Sequence, residues 1–188
     1  TKFIPYAKPY DLVDINCGCP SEKIIGNQAG SFLLKNPEKI GEMIRIMKDS
    51  SITATAKIRL GFKNNNVMKV AKIIEKSGAD ALTIHARLSH ENSAIPADWS
   101  WIKKVKDNIG IPVIGNGDIS SGIQAEQMLD IADGAMIARA AIGQPIIFNR
   151  ILHYLKTGKE KAFNFNNNIK YFQYYLDLAK KFNMIDLQ

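Results

Sequence analysis

The chain has 188 residues, 46% of them hydrophobic, which is enough to build one sizeable core. It carries no secretory signal and no apolar run of about 18 residues, so we expect a cytoplasmic protein without a membrane partner. Its two cysteines fit no zinc-ligand spacing. Its formal charge of +7 is equally compatible with a polyanionic partner such as RNA and with ordinary solvent-exposed lysine-rich faces.

Five apolar segments follow one another along the chain, each with polar residues at its end and then a helical pattern. The predicted strands lie within 12–15, 55–61, 81–87, 112–118 and 135–139. The helical patterns after the last four cover 67–77, 99–108, 124–130 and 144–155. Such alternation is typical of parallel βα units. It predicts an α/β fold of the (β/α)8 TIM-barrel type, with an open doubly wound sheet as the alternative.

A complete barrel of this type has eight strands and about 250 residues. Only five strands are visible here, the first begins close to the amino terminus, and the chain starts with Thr1. We therefore expect residues 1–160 to form a partial barrel, strands 4 to 8, without three upstream βα units.

The first predicted strand ends in Asp14-Ile-Asn-Cys-Gly-Cys-Pro20, where the backbone must turn sharply. A cysteine on a loop at the carboxyl end of a strand is placed for chemistry, whereas a cysteine inside a strand is usually a packing residue. Cys19, in the Gly-Cys-Pro turn, is therefore a candidate reactive thiol. The alternative is that Cys19 is a small buried hydrophobic residue.

Cations recur on alternate positions of the next two strands. Side chains two apart share a face, so Lys57 and Arg59 point the same way, as do His85 and Arg87. If that face is the barrel interior, the row of buried cations predicts a bound anion or anionic cofactor. The alternative is that Lys57 is an ordinary salt-bridged residue of the barrel.

Barrels often hold a phosphate on the loops after their last two strands. Here those loops contain Asn116-Gly-Asp118 and Ala138-Arg139. Glycine lets the backbone approach an anion closely, and Arg139 can hold a phosphate with two hydrogen bonds. We expect a phosphate site at these loops. The alternative is that Gly115 and Gly117 are only turn residues, which would explain either glycine by itself.

Five motifs in order resemble those of the tRNA-dihydrouridine synthases, a flavin-dependent family that reduces uridine in tRNA. They are Asp14-Ile-Asn-Cys-Gly-Cys-Pro20 with Lys23 and Gly30, Lys57-Ile-Arg-Leu-Gly61, His85-Ala-Arg87 with Asp98-Trp99, Pro112-Val-Ile-Gly-Asn-Gly-Asp118, and Met136-Ile-Ala-Arg139 with Gly143-Gln-Pro145. Ala138 stands where the family commonly has glycine, and residues 88–96 lack its usual threonine and tyrosine-glycine elements. Both differences are interpreted as variation within the family.

The resemblance implies FMN-dependent reduction of uridine to 5,6-dihydrouridine in tRNA, with NADPH as the reductant. Reduced flavin would give a hydride to C6 of the uracil, and Cys19 would give a proton to C5, because a thiol is mostly protonated at neutral pH. Cys17 would be a packing residue, and the target base would turn out of its stack. The expected flavin contacts are Lys57, His85, Asn116, Gly117, Asp118, Ala138 and Arg139, and the expected substrate contacts are Asn16, Arg59 and Arg87.

The resemblance weakens after Phe148. It implies that residues 161–188 hold a linker, at 163–168, and the first helix of a carboxyl-terminal helical domain that binds tRNA. Residues at helical spacing in this part are Tyr171, Tyr174, Tyr175, Leu178 and Phe182. Such a stripe is more typical of a helix core than of a platform for stacked bases.

Two other functions stay open at this point. One is the reduction of a free pyrimidine by a flavin barrel enzyme similar to dihydroorotate dehydrogenase. The other is a non-catalytic RNA-binding remnant, which the missing strands suggest. Flavin content separates the remnant from both enzymes. No sequence feature indicates a protein partner.

Overall fold

The computed structural model describes residues 2–161, 165–182 and 184. Its strands are β1 Val13–Cys17, β2 Ala54–Gly61, β3 Ala81–Leu88, β4 Val113–Asn116 and β5 Gly134–Met136. Its α-helices are α1 Ile4–Ala7, α2 Glu22–Gly26, α3 Pro37–Asp49, α4 Val67–Lys76, α5 Ser100–Lys106, α6 Gly122–Leu129, α7 Arg139–Gly143, α8 Ile147–Thr157 and α9 Phe165–Lys181. A 3-10 helix, η1, covers Gly30–Lys35.

The strands form one parallel sheet in the order β1-β2-β3-β4-β5. Each strand is followed by a helix, which confirms the predicted α/β class and the five successive βα units. The last strand ends at Met136, earlier than expected, because Arg139 already begins α7.

Small and branched apolar side chains build the face of the sheet that packs against helices. The strand residues of this layer include Ala54, Ala56, Ile58, Leu82 and Ile84, and the helices contribute Ile44, Val70, Ile102 and Met128. All of these side chains are fully buried. Burying one such large aliphatic side chain contributes roughly 2 kcal/mol. Polar side chains are therefore restricted to the other face and to the strand ends.

The described residues divide into two compact units. The first contains the residues up to Ile119 together with Gln127–Ile137, and it holds the whole sheet. The second contains Ser120–Glu126 together with the residues from Ala138 onward. None of the described helices combines the length and the apolar character needed to span a bilayer.

The second unit is built around α8. Tyr154 lies against Gly122, where no side chain would fit, and its hydroxyl bonds to the Glu126 carboxylate at 3.3 Å. The Gly122 N–H donates to Glu160 at 3.0 Å. These contacts join α8 and the residues after it to the start of α6. A separate helical domain from residue 161 stays a prediction.

Helix α9 begins at Phe165, so residues 166–168, expected in a linker, lie in its first turn. Phe163 falls outside the described residues. The tyrosines and the phenylalanine of the predicted stripe, Tyr171, Tyr174, Tyr175 and Phe182, are exposed. Within the described residues the stripe therefore does not form a helix core.

A repeated contact ties the amino-terminal ends of neighbouring strands together. Asp80, directly before β3, accepts the N–H of Ala54 at 2.7 Å and the Lys48 ammonium group at 2.7 Å. Asp133, directly before β5, likewise accepts the first N–H of β4 at 2.7 Å and the Lys106 ammonium group at 2.7 Å. Asp80 thus connects β2 and β3 to α3, and Asp133 connects β4 and β5 to α5.

The same contacts favour the charged form of both carboxyl groups. Burial acts to raise the pKa of Asp80, but the hydrogen bonds from Lys48 and Ala54 and the charge of Lys48 outweigh it and lower the pKa from its usual 3.8. The hydrogen bonds from Lys106 and from the first N–H of β4 lower the pKa of Asp133 in the same way.

Replacing Asp80 or Asp133 by Asn should lower the free energy of unfolding at neutral pH by about 1 kcal/mol, since each variant loses charge-assisted hydrogen bonds that solvent partly screens. Because the folded pKa lies below the unfolded value of about 3.8, the stabilisation is complete above that pH and is lost as the pH falls through the folded pKa. Urea unfolding as a function of pH measures both effects.

Asp107→Asn is the matched control. Asp107 pairs with Lys103 at 3.1 Å, but the two side chains are 54% and 57% exposed, so its loss should change stability little. An equal loss of stability in the control, or a gap between wild type and variants that persists in acid, would contradict the role given to Asp80 and Asp133.

Candidate functional site

Polar side chains form two rows across the face of the sheet opposite the helices. The strand register aligns one row of Asn16, Lys57 and Thr83, and a second of Arg59, His85 and Asn116. The second row is nearer the carboxyl ends of the strands. Parallel strands thus bring together residues that are up to 100 positions apart in sequence.

Four contacts fix the turn that carries Cys19. The Asn16 side-chain oxygen accepts the N–H groups of Gly18 at 3.1 Å and of Cys19 at 3.0 Å. The Cys19 carbonyl accepts the N–H of Ser31 at 2.9 Å. Gly30 packs on the other side with φ +59°, and a Cβ there would lie 2.6 Å from the Cys19 carbonyl oxygen. The thiol is therefore carried by a rigid turn at the edge of the sheet.

The two cysteines have different surroundings. Cys17 is fully buried, as expected for a packing residue. Burial, with the charge of Asp14, raises the pKa of the Cys17 thiol to about 12. Cys17 therefore stays protonated at physiological pH, whereas Cys19 lies on the turn beyond the strand and is partly exposed.

Arg59 joins the loops after β1 and β3. Its Nε donates to the Gly18 carbonyl at 3.0 Å, and its Nη1 donates to the carbonyls of Leu88 at 2.7 Å and Glu91 at 3.1 Å. The side chain is only 9% exposed. Arg59 was expected to contact substrate; in the structure its guanidinium group holds the residue next to Cys19.

Arg87 joins the loops after β3 and β4 and is 1% exposed. Its Nη2 donates to both Asp118 oxygens at 2.8 and 2.6 Å, and its Nε donates to the Ile95 carbonyl at 2.6 Å. Asp118 also accepts the N–H of Ala97 at 2.9 Å. Arg87 and Asp118, expected to contact substrate and cofactor, are thus bound to each other.

Burial and three neighbouring cations determine the protonation of His85. Burial, followed by the charges of Arg59, Lys57 and Arg87, lowers the pKa of His85 to about 3, so the ring is neutral at physiological pH. Arg87 Nη1 lies 3.1 Å from His85 Nε2. A guanidinium group can only donate, so Nε2 accepts and the ring proton is on Nδ1. His85 is therefore a neutral N–H donor.

Lys57 is half-buried beside a carboxylate. Burial, followed by the charge of Arg59, lowers the pKa of Lys57, and the charge of Asp14 opposes this change. Asp14 itself accepts the Thr55 hydroxyl at 2.7 Å, and burial raises its pKa. Three cations therefore lie near three carboxylates: Asp14 acts on Lys57, Glu91 acts on Arg59, and Asp118 pairs with Arg87.

The loop after β4 is held from two sides. Asn116 Nδ2 donates to the Met136 carbonyl at 2.8 Å, and Trp99 Nε1 donates to the Gly117 carbonyl at 3.0 Å. Gly117 has φ +127°, and a Cβ there would lie 2.6 Å from the Ala97 Cβ, so a side chain is excluded. Sequence reasoning gave Trp99 no role, although the Asp-Trp pair of its motif was the available signal.

The structure brings together most of the predicted site residues within the first unit. They are Asn16, Cys19, Lys57, Arg59, His85, Arg87, Asn116, Gly117 and Asp118. Ala138 and Arg139 belong to the second unit, where Arg139 begins α7 and the Ala138 carbonyl accepts the N–H of Ala141 at 3.0 Å. In the part of the chain that the structure describes, no group of three or more His, Cys, Asp or Glu could hold a metal ion.

The model of the dihydrouridine synthase family matches residues 4–183. A probable tRNA-dihydrouridine synthase of Rickettsia conorii is 38% identical over 156 residues, which are 80% of this chain and 47% of that protein. The tRNA-dihydrouridine synthase B of Proteus vulgaris is 40% identical over 153 residues, which are 79% of this chain and 47% of that protein. The chain thus spans about half the length of the curated relatives it matches.

A solved structure of nitroalkane oxidase from Streptomyces ansochromogenes is also similar. It is 18% identical, with a TM-score of 0.48, and the match covers 75% of this chain and 36% of that one. At this TM-score the likeness supports no conclusion about function.

Replacing Gly30 by Ala should displace the Cys19 turn. Alanine at a positive φ costs about 1–2 kcal/mol, and the added methyl group would also clash with the Cys19 carbonyl. We expect the free energy of unfolding to fall by about 2 kcal/mol, measured by urea unfolding. Gly26→Ala is the control, because nothing lies within 4 Å of a Cβ at that position. Equal stability of the two variants would contradict the close packing of Gly30 on Cys19.

Proposed function

The chain belongs to the dihydrouridine synthase family, and from that premise we propose that it reduces uridine to 5,6-dihydrouridine in tRNA with FMN as cofactor and NADPH as reductant. The observation that carries the proposal is the rigid Cys19 turn beside a face of buried cations at the carboxyl edge of the sheet. The alternative of a reductase for free pyrimidines has no support from the family match.

The first-unit residues fit an anionic flavin cofactor. Asp118 pairs with Arg87, and Glu91 acts on Arg59, whereas Lys57 is half-buried and loses hydration beside Asp14. An anion beside Lys57 would restore part of the lost stabilisation of its ammonium group. His85 offers a neutral Nδ1–H, which can donate to a carbonyl or phosphate oxygen without adding charge. We propose that these two residues contact the flavin.

The phosphate of FMN would be held by the loop at Gly117 and by Ala138 and Arg139. Gly117 has no side chain and no room for one, so its backbone can approach an anion. Arg139 would supply the bidentate contact. In this arrangement Asn116 and Asp118 position the loop that contacts the phosphate, because their side chains bond to the Met136 carbonyl and to Arg87.

When bound, reduced flavin supplies a hydride for C6 of the uracil. Cys19 then donates its proton to C5, and the Asn16 hydrogen bonds keep the turn in a fixed orientation for this transfer. The Arg59 guanidinium group donates to the Gly18 carbonyl at 3.0 Å, so a cation holds the turn that carries this thiol. Asn16 uses its oxygen for the turn, which leaves Nδ2 as the donor to a uracil carbonyl.

The partner of this site is tRNA, and the target base must turn out of its stack to reach the carboxyl edge. The formal charge of +7 favours association with a polyanion. Helix α9, with its exposed aromatic residues, would belong to the part that holds the tRNA. We propose that the protein acts on tRNA in the cytoplasm.

Lys57→Gln and Arg139→Ala should each weaken flavin binding about tenfold or more, since each removes a charge-assisted hydrogen bond of about 1.5–3 kcal/mol. Flavin content after purification and titration of the apoprotein with FMN measure this. Lys72→Gln is the control, because Lys72 is exposed in the second half of α4. Unchanged flavin retention in either site variant would remove that residue from the flavin site.

Cys19→Ala should lower tRNA reduction at least 100-fold, within the range that general acids contribute, and leave the oxidation of NADPH by the flavin unchanged. The thiol acts only on the uracil, so the two half-reactions should separate. Stopped-flow flavin reduction and dihydrouridine formation on unmodified tRNA measure them. Cys17→Ala, the control, should keep most activity, and the reverse pattern would show that Cys19 is not the acid.

A further inference from the structure

Lys35, at the end of η1, lies between two aromatic rings. Its Nζ is 4.3 Å from the ring centroid of Phe32 and 4.3 Å from that of Phe62. The rings themselves meet edge to face, with centroids 6.2 Å apart and an interplanar angle of 74°. Two cation–π contacts thus restrain the ammonium group of an exposed lysine. We name these three residues the Lys35 cluster.

The Lys35 cluster lies on the same edge of the sheet as Cys19. Phe62 directly follows β2, and η1 carries Ser31, whose N–H donates to the Cys19 carbonyl. Ser89, after β3, connects the two, because its hydroxyl is 2.6 Å from that of Ser31 and its N–H donates to the last carbonyl of β2 at 2.9 Å. The cluster and the thiol therefore share one hydrogen-bonded frame.

The ammonium group of Lys35 is available to a ligand. Among the residues that the structure describes, no carboxylate lies within salt-bridge distance of it. The lysine already covers the rings of Phe32 and Phe62, so they do not offer an open platform for a stacked base. The chemistry favours an anion, which lysine binds as a point charge.

We propose that Lys35 binds a backbone phosphate of the tRNA beside the target nucleotide, an inference that rests on the proposed function. A base that enters the site at Cys19 leaves its flanking phosphates at the carboxyl edge. The Lys35 cluster offers an ordered positive charge on this edge, and restraint by the two rings lowers the entropy lost on binding.

The test uses the protein made from its complete gene and measures the Kd for unmodified tRNA between 50 and 200 mM KCl. Each phosphate contact contributes about 0.7–0.9 to the slope of log K against log salt. Lys35→Gln should reduce this slope by about one and raise Kd severalfold at low salt, while flavin content and NADPH oxidation stay unchanged. Lys35→Arg should keep the slope of the wild type.

Two further variants complete the design. Phe62→Leu removes one ring and keeps the charge, so it should raise Kd with the slope retained. Lys72→Gln removes an exposed lysine of α4 and should change neither quantity. Wild-type slope and Kd in Lys35→Gln, or an equal effect of Lys72→Gln, would overturn the Lys35 proposal while the proposed function stands. Loss of flavin in Lys35→Gln would overturn the Lys35 proposal and indicate a structural role for this residue. A wild-type protein that binds no tRNA would overturn both the Lys35 proposal and the proposed function.

Discussion

Two buried guanidinium groups hold together the loops that carry the candidate site. Arg59 binds carbonyls of the loops after β1 and β3, and Arg87 binds the Asp118 carboxylate after β4. Buried cations need hydrogen-bond acceptors: Arg59 donates to three backbone carbonyls, and Arg87 donates to the Asp118 carboxylate and the Ile95 carbonyl. The turn with Cys19 and the loop with Gly117 are thus both connected, through Arg59 and Arg87 respectively, to the end of β3 and the segment after it.

Arg59 also influences the protonation of two neighbouring side chains that could contact a ligand, His85 and Lys57, and Arg87 influences that of His85. His85 lies close to three cations, and its Nε2 already accepts a hydrogen bond, so the ring stays neutral and keeps a proton on Nδ1. Burial and the charge of Arg59 lower the pKa of Lys57, and the charge of Asp14 opposes this change. A neutral donor beside a half-buried ammonium group is suited to a planar anionic cofactor, which needs charge at one atom and hydrogen bonds at others.

The two edges of the sheet have different tasks. At the amino-terminal edge, Asp80 and Asp133 join strand starts to the ends of the preceding helices, and their contacts serve stability. At the carboxyl edge, the polar groups are held by loops, and the thiol of Cys19 and the ammonium group of Lys35 lie there. This division is the one expected of parallel βα architectures, in which catalytic groups collect at the carboxyl ends of strands.

The packing role of Cys17 was implied by the family resemblance, whereas the sequence itself determined the five βα units and the shared face of Lys57 and Arg59. These features follow from local periodicity, because a strand alternates its side chains and an apolar run needs a covered face. The partners of Arg59, Arg87 and Asn116 were decided only by the tertiary structure. So were the bond from Trp99 to Gly117, the Lys35 cluster, and the helical state of residues 166–168, whose asparagines have low helix propensity. Most of these contacts join residues 18 to 41 positions apart, and their geometry depends on strand register and loop path, which no local pattern encodes.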